Sequence, residues 1–144
     1  MFIENKLINH TTKKGKKTKS EKILNNSVKE LQKCSKKQTK ELIKLSIIRS
    51  SRIFKLKTIK NKKNKKQKAR IQHIFIHNKN KRFYFAIKLI VSSSNKAGFN
   101  NFHNNLKKEI FDTARFENNL IKTNREFEKL AFKQKHLFKY YRWN

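Results

Sequence analysis

The chain has 144 residues and carries 39 Lys and Arg against 9 Asp and Glu, a formal net charge of +30 at pH 7, with a hydrophobic fraction of 35%. One core of ordinary size is the most this length can build, and the charge repels itself unless a polyanion neutralises it, which argues against a free metabolic enzyme and, with scattered aromatics, for nucleic acid. The lone cysteine, Cys34, excludes an intrachain disulfide and a Cys-built zinc site; it reads as a small apolar side chain at a helix end.

Phe2, Ile3, Leu7 and Ile8 predict a short apolar helix over 2–12, followed by the basic turn Lys13-Lys14-Gly15-Lys16-Lys17. Gly15, one of only two glycines, marks a left-handed helix terminus or a tight turn. Thr18 and Glu21 have capping-box spacing, and Ile23, Leu24, Val28 and Leu31 continue at near-helical intervals. A third helix is expected over 37–48. From Arg52 the period shortens: Phe54 and Leu56 alternate with Lys55 and Lys57, and Ile71, His73 and Phe75 with Gln72, Ile74 and Ile76. This predicts a hairpin over about 52–76 whose Phe54, Leu56, Ile71 and Phe75 lean on the helices. Its connection, residues 60–68, has no apolar residue and carries Lys60, Lys62, Lys63, Lys65, Lys66 and Lys68, so it is a solvated or RNA-bound loop.

Helical spacing resumes with Phe83, Ala86, Ile87, Ile90 and Val91, and Ser92 to Gly98 is expected to break it. Phe102, Leu106, Ile110 and Ala114 form a further stripe. Thr123 with Glu126 is expected to cap a last helix bearing Phe127, Leu130, Ala131, Gln134, Phe138 and Tyr141. The fold class is therefore mainly α, a bundle of about six helices with a projecting β-hairpin, in a single domain over 1–144.

Enzyme signatures are missing: the chain has no Gly-rich phosphate loop and no serine in a Gly-flanked elbow, so neither catalytic residues nor a cofactor is expected. His73 and His77 lack a third ligand nearby and read as satisfied or solvent-facing imidazoles rather than metal ligands. Glu109 and Asp112, three apart on a helix, are expected to engage the surrounding lysines. Phe83, Phe127 and Phe138 lie on apolar stripes and read as core, not as base-stacking platforms. What remains is clustered lysine, which positions a protein on phosphates without reading sequence, so recognition falls to the shape of folded RNA. No apolar run reaches the length of a membrane span, since Lys88 interrupts even Ala86 to Val91.

Lys (32), Asn (17), Ile (15) and Phe (12) dominate, whereas Ala, Gly and Pro together number 7. Such usage reflects a very AT-rich gene, and the start Met1-Phe2-Ile3-Glu4-Asn5 has no import-peptide character. An organelle-encoded protein is the simplest expectation, mitochondrial first and plastid as the alternative.

The segment Lys6-Leu7-Ile8-Asn9, continued by Lys14-Gly15-Lys16-Lys17-Thr18-Lys19-Ser20-Glu21-Lys22-Ile23, resembles the bacterial-type small-subunit ribosomal protein S7 family, and the end Phe138-Lys139-Tyr140-Tyr141-Arg142-Trp143 is similar to that family's closing Phe-Ala-His-Tyr-Arg-Trp. The resemblance implies a helical bundle with a β-ribbon arm, no catalysis, binding to the 3′ major domain of small-subunit rRNA, nucleation of head assembly beside other head proteins, and a border on the exit site for tRNA and mRNA. On this chain the implied rRNA contacts are Lys13, Lys14, Lys16, Lys17 and Arg142, with Arg52 at the start of the hairpin added to them; the six lysines of 60–68 would approach tRNA and mRNA. The chain departs from the family in having no glycine in the hairpin, Ser50-Ser51 in the proline region, Lys135 where Asn is expected, a start almost at the first helix and an end at Trp143-Asn144. Contacts of a basic N-terminal arm and of a continuing C-terminal helix are accordingly not carried over. The runner-up reading is a DNA-compacting architectural protein with a basic β-arm, disfavoured because residues 60–68 offer no apolar wedge or proline; a basic membrane-surface peptide is a weaker third.

Overall fold

The computed structural model describes residues 2–35, 38–59, 70–96 and 101–140. Among these the chain forms α1 (Phe2–Thr11), α2 (Lys17–Cys34), α3 (Thr39–Ser50), β1 (Phe54–Ile59), β2 (Arg70–Phe75), α4 (Lys79–Lys96), α5 (Phe102–Arg115) and α6 (Asn119–Lys133), then a 3-10 segment over Lys135–Tyr140. The fold is mainly α with one antiparallel hairpin, as the alternating periods predict.

The apolar stripes explain the layering. Helix α5 lies in the middle and packs against α2, α3 and α4, while α1 closes on α2 and α4, and α6 on α3 and α4. Leu106 and Ile110 of α5 form one buried cluster with Leu7, Leu24, Leu31, Ile43, Ile47, Ile87, Ile90 and Val91, against which Phe83 and Phe102 pack half-buried. Each such aliphatic side chain contributes about 2 kcal/mol when removed from water.

Helix ends depart from the sequence expectation in four places. α2 begins at Lys17, so Thr18 lies inside its first turn, and Lys16 at the cap position makes no side-chain capping bond. Two successive left-handed residues, Lys14 (φ 52) and Gly15 (φ 71), turn the chain into the helix before a Thr18 cap can form. α4 runs through the serines to Lys96, because Ser94 continues the buried stripe at i+4 from Ile90 and its hydroxyl donates to the Ile90 carbonyl at 2.9 Å. α6 starts at Asn119, capped by Asn118, whose Oδ1 accepts from the Leu120 N–H at 3.2 Å; Thr123 is internal and donates to the Leu120 carbonyl. After Lys133 the chain tightens into 3-10 geometry, so Phe138 lies beyond α6, and Tyr141 is outside the described residues.

In the hairpin, Phe54 pairs with Phe75, Lys55 with Ile74 and Leu56 with His73. Among the described side chains, packing is densest at its root. Phe54 is buried, with the rings of Phe75, Phe132 and Phe138 centred 6.0, 5.7 and 5.4 Å away. His73, Ile74 and Ile76 are buried too, whereas Leu56 is 53% exposed. Leu56 nevertheless lines a cleft with Phe85 and Leu89 of α4 and Phe127 of α6, so it leans on the helices with part of its side chain in solvent.

Candidate nucleic-acid interface

The turn between α1 and α2 is built from backbone geometry and from a small hydroxyl knot beneath it. Thr11 Oγ1 and Ser20 Oγ, both buried, share a hydrogen bond of 2.6 Å, with Thr11 Oγ1 also 3.0 Å from the Leu7 carbonyl and Ser20 Oγ 3.2 Å from that of Ile8, so that one hydroxyl donates across and the other to its carbonyl. Thr12 Oγ1 donates to the Ile8 carbonyl at 2.7 Å. With the carbonyls at the end of α1 satisfied this way, the four residues Lys13, Lys14, Lys16 and Lys17 are displayed on the outside, all exposed. Lys13, Lys14 and Lys16 line a cleft of 250 Å³ with Lys19, over a floor that includes Val91 and Phe102. Lys13 Nζ donates across it to Asn95 Oδ1 at 3.3 Å, and Lys17 Nζ reaches Glu21 at 3.9 Å. The result is a concave cationic surface suited to a phosphate backbone. His10 lines the same cleft and packs on Tyr84, ring centres 4.6 Å apart. Burial, and then Lys88 and Lys6, hold its imidazole below the ordinary histidine range.

Arginine is used differently from lysine. Each of the five arginines whose side chains are described lies over a phenylalanine ring: Arg49 and Arg125 over Phe116 at 4.0 and 5.5 Å, Arg52 over Phe127 at 5.0 Å, Arg82 over Phe75 at 5.0 Å and Arg115 over Phe111 at 4.0 Å. A planar guanidinium can stack and still use its in-plane N–H groups, which an ammonium cannot. Arg82 Nε, for example, donates to the Ile76 carbonyl at 2.6 Å. Arg52 sits half-buried at the hairpin root, with Nε donating to Asn124 Oδ1, while Asn124 Nδ2 donates to the Ser50 carbonyl at 3.1 Å. Burial pulls the Arg52 guanidinium down from its ordinary value and Glu128 opposes this, yet the starting value is so high that the group stays cationic. Arg52 therefore seats the hairpin.

The remaining sequence candidates resolve individually. His73 is buried, bonded through Nδ1 to Gln134 Oε1 at 3.0 Å and packed on Phe127, while His77 is exposed with its ring against Phe75. Glu109 accepts from Asn118 Nδ2 at 2.6 Å and so supports the α6 cap. Cys34 ends α2 and is exposed. Among the described residues no helix is long and apolar enough to cross a membrane, and no group of three or more His, Cys, Asp or Glu could hold a metal ion. Lys60, Lys62, Lys63, Lys65, Lys66, Lys68 and Arg142 lie outside the described residues. Sequence reasoning missed Lys19, His10 and Asn95 in the cleft. Lys19 was in reach, being one helical turn after Lys16, whereas Asn95 comes from α4 and had no local signal.

The family model described as ribosomal protein S7p/S5e matches residues 2–135, nearly the whole chain. No curated protein matches the sequence significantly.

Proposed function

Because the chain belongs to the ribosomal protein S7p/S5e family and is thus a small-subunit ribosomal protein, of a structural and non-enzymatic family, we propose that it binds the rRNA of the subunit head through the lysine turn at 13–17. The observation that carries this reading is the exposed set Lys13, Lys14, Lys16 and Lys17 on a turn made by two left-handed residues, the first three of them lining a concave cleft. Point charges on a rigid turn meet the closely spaced phosphates of a folded RNA junction. Arg142 is assigned a further rRNA contact, and the six lysines of 60–68 the screening of repulsion between rRNA and the exit-site tRNA and mRNA, both on the family resemblance alone. The neighbours are other proteins of the head. The Lys-, Asn-, Ile- and Phe-rich composition, which fits an AT-rich gene, supports translation on a mitochondrial ribosome, with a plastid ribosome as the alternative.

Two experiments test this. Native protein should co-sediment with small ribosomal subunits of the organelle; migration with the nucleoid would sink the reading in favour of a DNA-compacting role. Replacing Lys16 and Lys17 with Glu should abolish binding to head rRNA while circular dichroism stays helical, since both side chains are exposed. Normal incorporation of that variant into subunits would mean that the turn is not the contact.

A further inference from the structure

The far end of α5 carries a second cationic surface of different chemistry. Phe116 caps the helix in a left-handed conformation (φ 66), with its N–H bonded back to Thr113 and that of Glu117 to Asp112, a Schellman-type ending at which glycine is the usual residue. A bulky side chain there is a backbone outlier, and this one is also 46% exposed. The ring is covered by two guanidiniums: Arg49 comes from α3, is pinned by a bond from Nη1 to the Ala114 carbonyl, and lies 4.0 Å away, while the exposed Arg125 of α6 lies at 5.5 Å. Three elements thus converge on one exposed aromatic. The lysine cleft touches Phe102 at the opposite end of the same helix, so the two surfaces are separated by about 20 Å, the span of the 14 residues of α5.

We propose that the Arg49–Phe116–Arg125 stack is a second RNA contact, which receives the base of an unpaired nucleotide on the solvent side of Arg125. This rests on the RNA-binding reading given above. Geometry favours a base over a phosphate: Glu117 follows Phe116 directly and opposes an anion, the Arg49 and Arg125 guanidiniums are committed to the Phe116 ring and Arg115 to Phe111, and the stack offers a flat π surface that the lysine turn lacks. Unpaired RNA bases stack on guanidinium planes and aromatic rings in this manner. A strained, exposed phenylalanine at a glycine position is kept for its ring, and the ring's described partners are the two arginines.

The test uses the full chain with a transcript of the 3′ major domain of small-subunit rRNA from the organism that encodes it, titrated over a range of salt. Phe116→Gly removes the ring and relieves the backbone, and Arg125→Lys keeps the charge but removes the plane. Each should weaken binding by about tenfold at fixed salt while leaving the slope of log affinity against log salt unchanged. Thermal melting of Phe116→Gly should match or exceed that of the native chain; Arg125 is exposed, so its variant stays informative if the first fails to fold. Unaltered affinity in Arg125→Lys, or in a folded Phe116→Gly, would overturn the proposal and leave the corner to a protein neighbour. A fall in salt slope with Phe116→Gly would also overturn it, because the contact would then be to phosphate. Failure of the native chain itself to bind the transcript would instead remove the RNA-binding reading on which the proposal stands.

Discussion

At the scale of single residues, the division of labour between Lys and Arg has measurable consequences. Arg52 stacks on Phe127 and bonds Asn124, which in turn bonds the Ser50 carbonyl, so one plane ties the end of α3 to α6 at the hairpin root. Arg52→Lys keeps the charge but loses the stack and the fixed fork, and should lower stability by about 1–2 kcal/mol in urea unfolding. His10 offers a second test. Its folded midpoint is depressed by burial and by Lys88 and Lys6, so between that midpoint and the unfolded value of about 6.5 the unfolded chain binds more protons than the folded one. Its contribution to stability therefore rises as pH increases through this window and is lost as pH falls through it. The His10 resonance should titrate below the ordinary histidine value, and Lys88→Gln should move it upward; an unmoved midpoint would remove Lys88 as a cause.

At the scale of elements, the turn between α1 and α2 sets backbone strain against the RNA contact proposed for it. Gly15 has φ +71 with open space around a would-be Cβ, so Gly15→Ala should cost about 1 kcal/mol from the left-handed backbone alone, with no clash. Lys14 stands at φ 52 with a full side chain. Lys14→Gly should accordingly stabilise the bundle by up to about 1 kcal/mol while weakening RNA binding. Opposite signs in a thermal melt and an RNA titration would identify Lys14 as a residue kept for its charge. The serine-containing end of α4 gives the opposite lesson: Ser92 and Ser94 signal a break in isolation, yet both hydroxyls donate to carbonyls one turn back and the helix continues.

For the whole molecule, the net charge of +30 sets both stability and affinity. Without RNA the folded chain concentrates its own repulsion, so added salt should raise the melting temperature of the isolated protein. With RNA the sign reverses, because each neutralised phosphate releases close to one counterion. About ten contacts would reduce affinity by several orders of magnitude between low and physiological salt. A flat salt profile for RNA binding would defeat the charge-neutralisation argument.

Much of this protein is written in local pattern. The helical stripe from Phe83 to Val91, the alternation from Phe54 to Lys57 and the Gly15 turn amid lysines are decided within a few residues, because side-chain periodicity and left-handed φ are local properties. They are sufficient for the helix–hairpin–helix order, for the exposed lysine turn and, with the residues at 6–23 and 138–143, for the family. Tertiary structure decided where helices end and which cations share a surface. Thr18 and Thr123 have capping-box spacing but are internal, because the left-handed pair at 14–15 and the Asn118 side chain terminate the helices first. Asn95 joins Lys13 because α1 packs on α4, and Arg49 and Arg125 meet at Phe116 because α3 packs on both α5 and α6. Lys13 and Asn95, like Arg49 and Phe116, stand more than 60 positions apart, over which the sequence has no periodicity to report, and packing of the core brings them together.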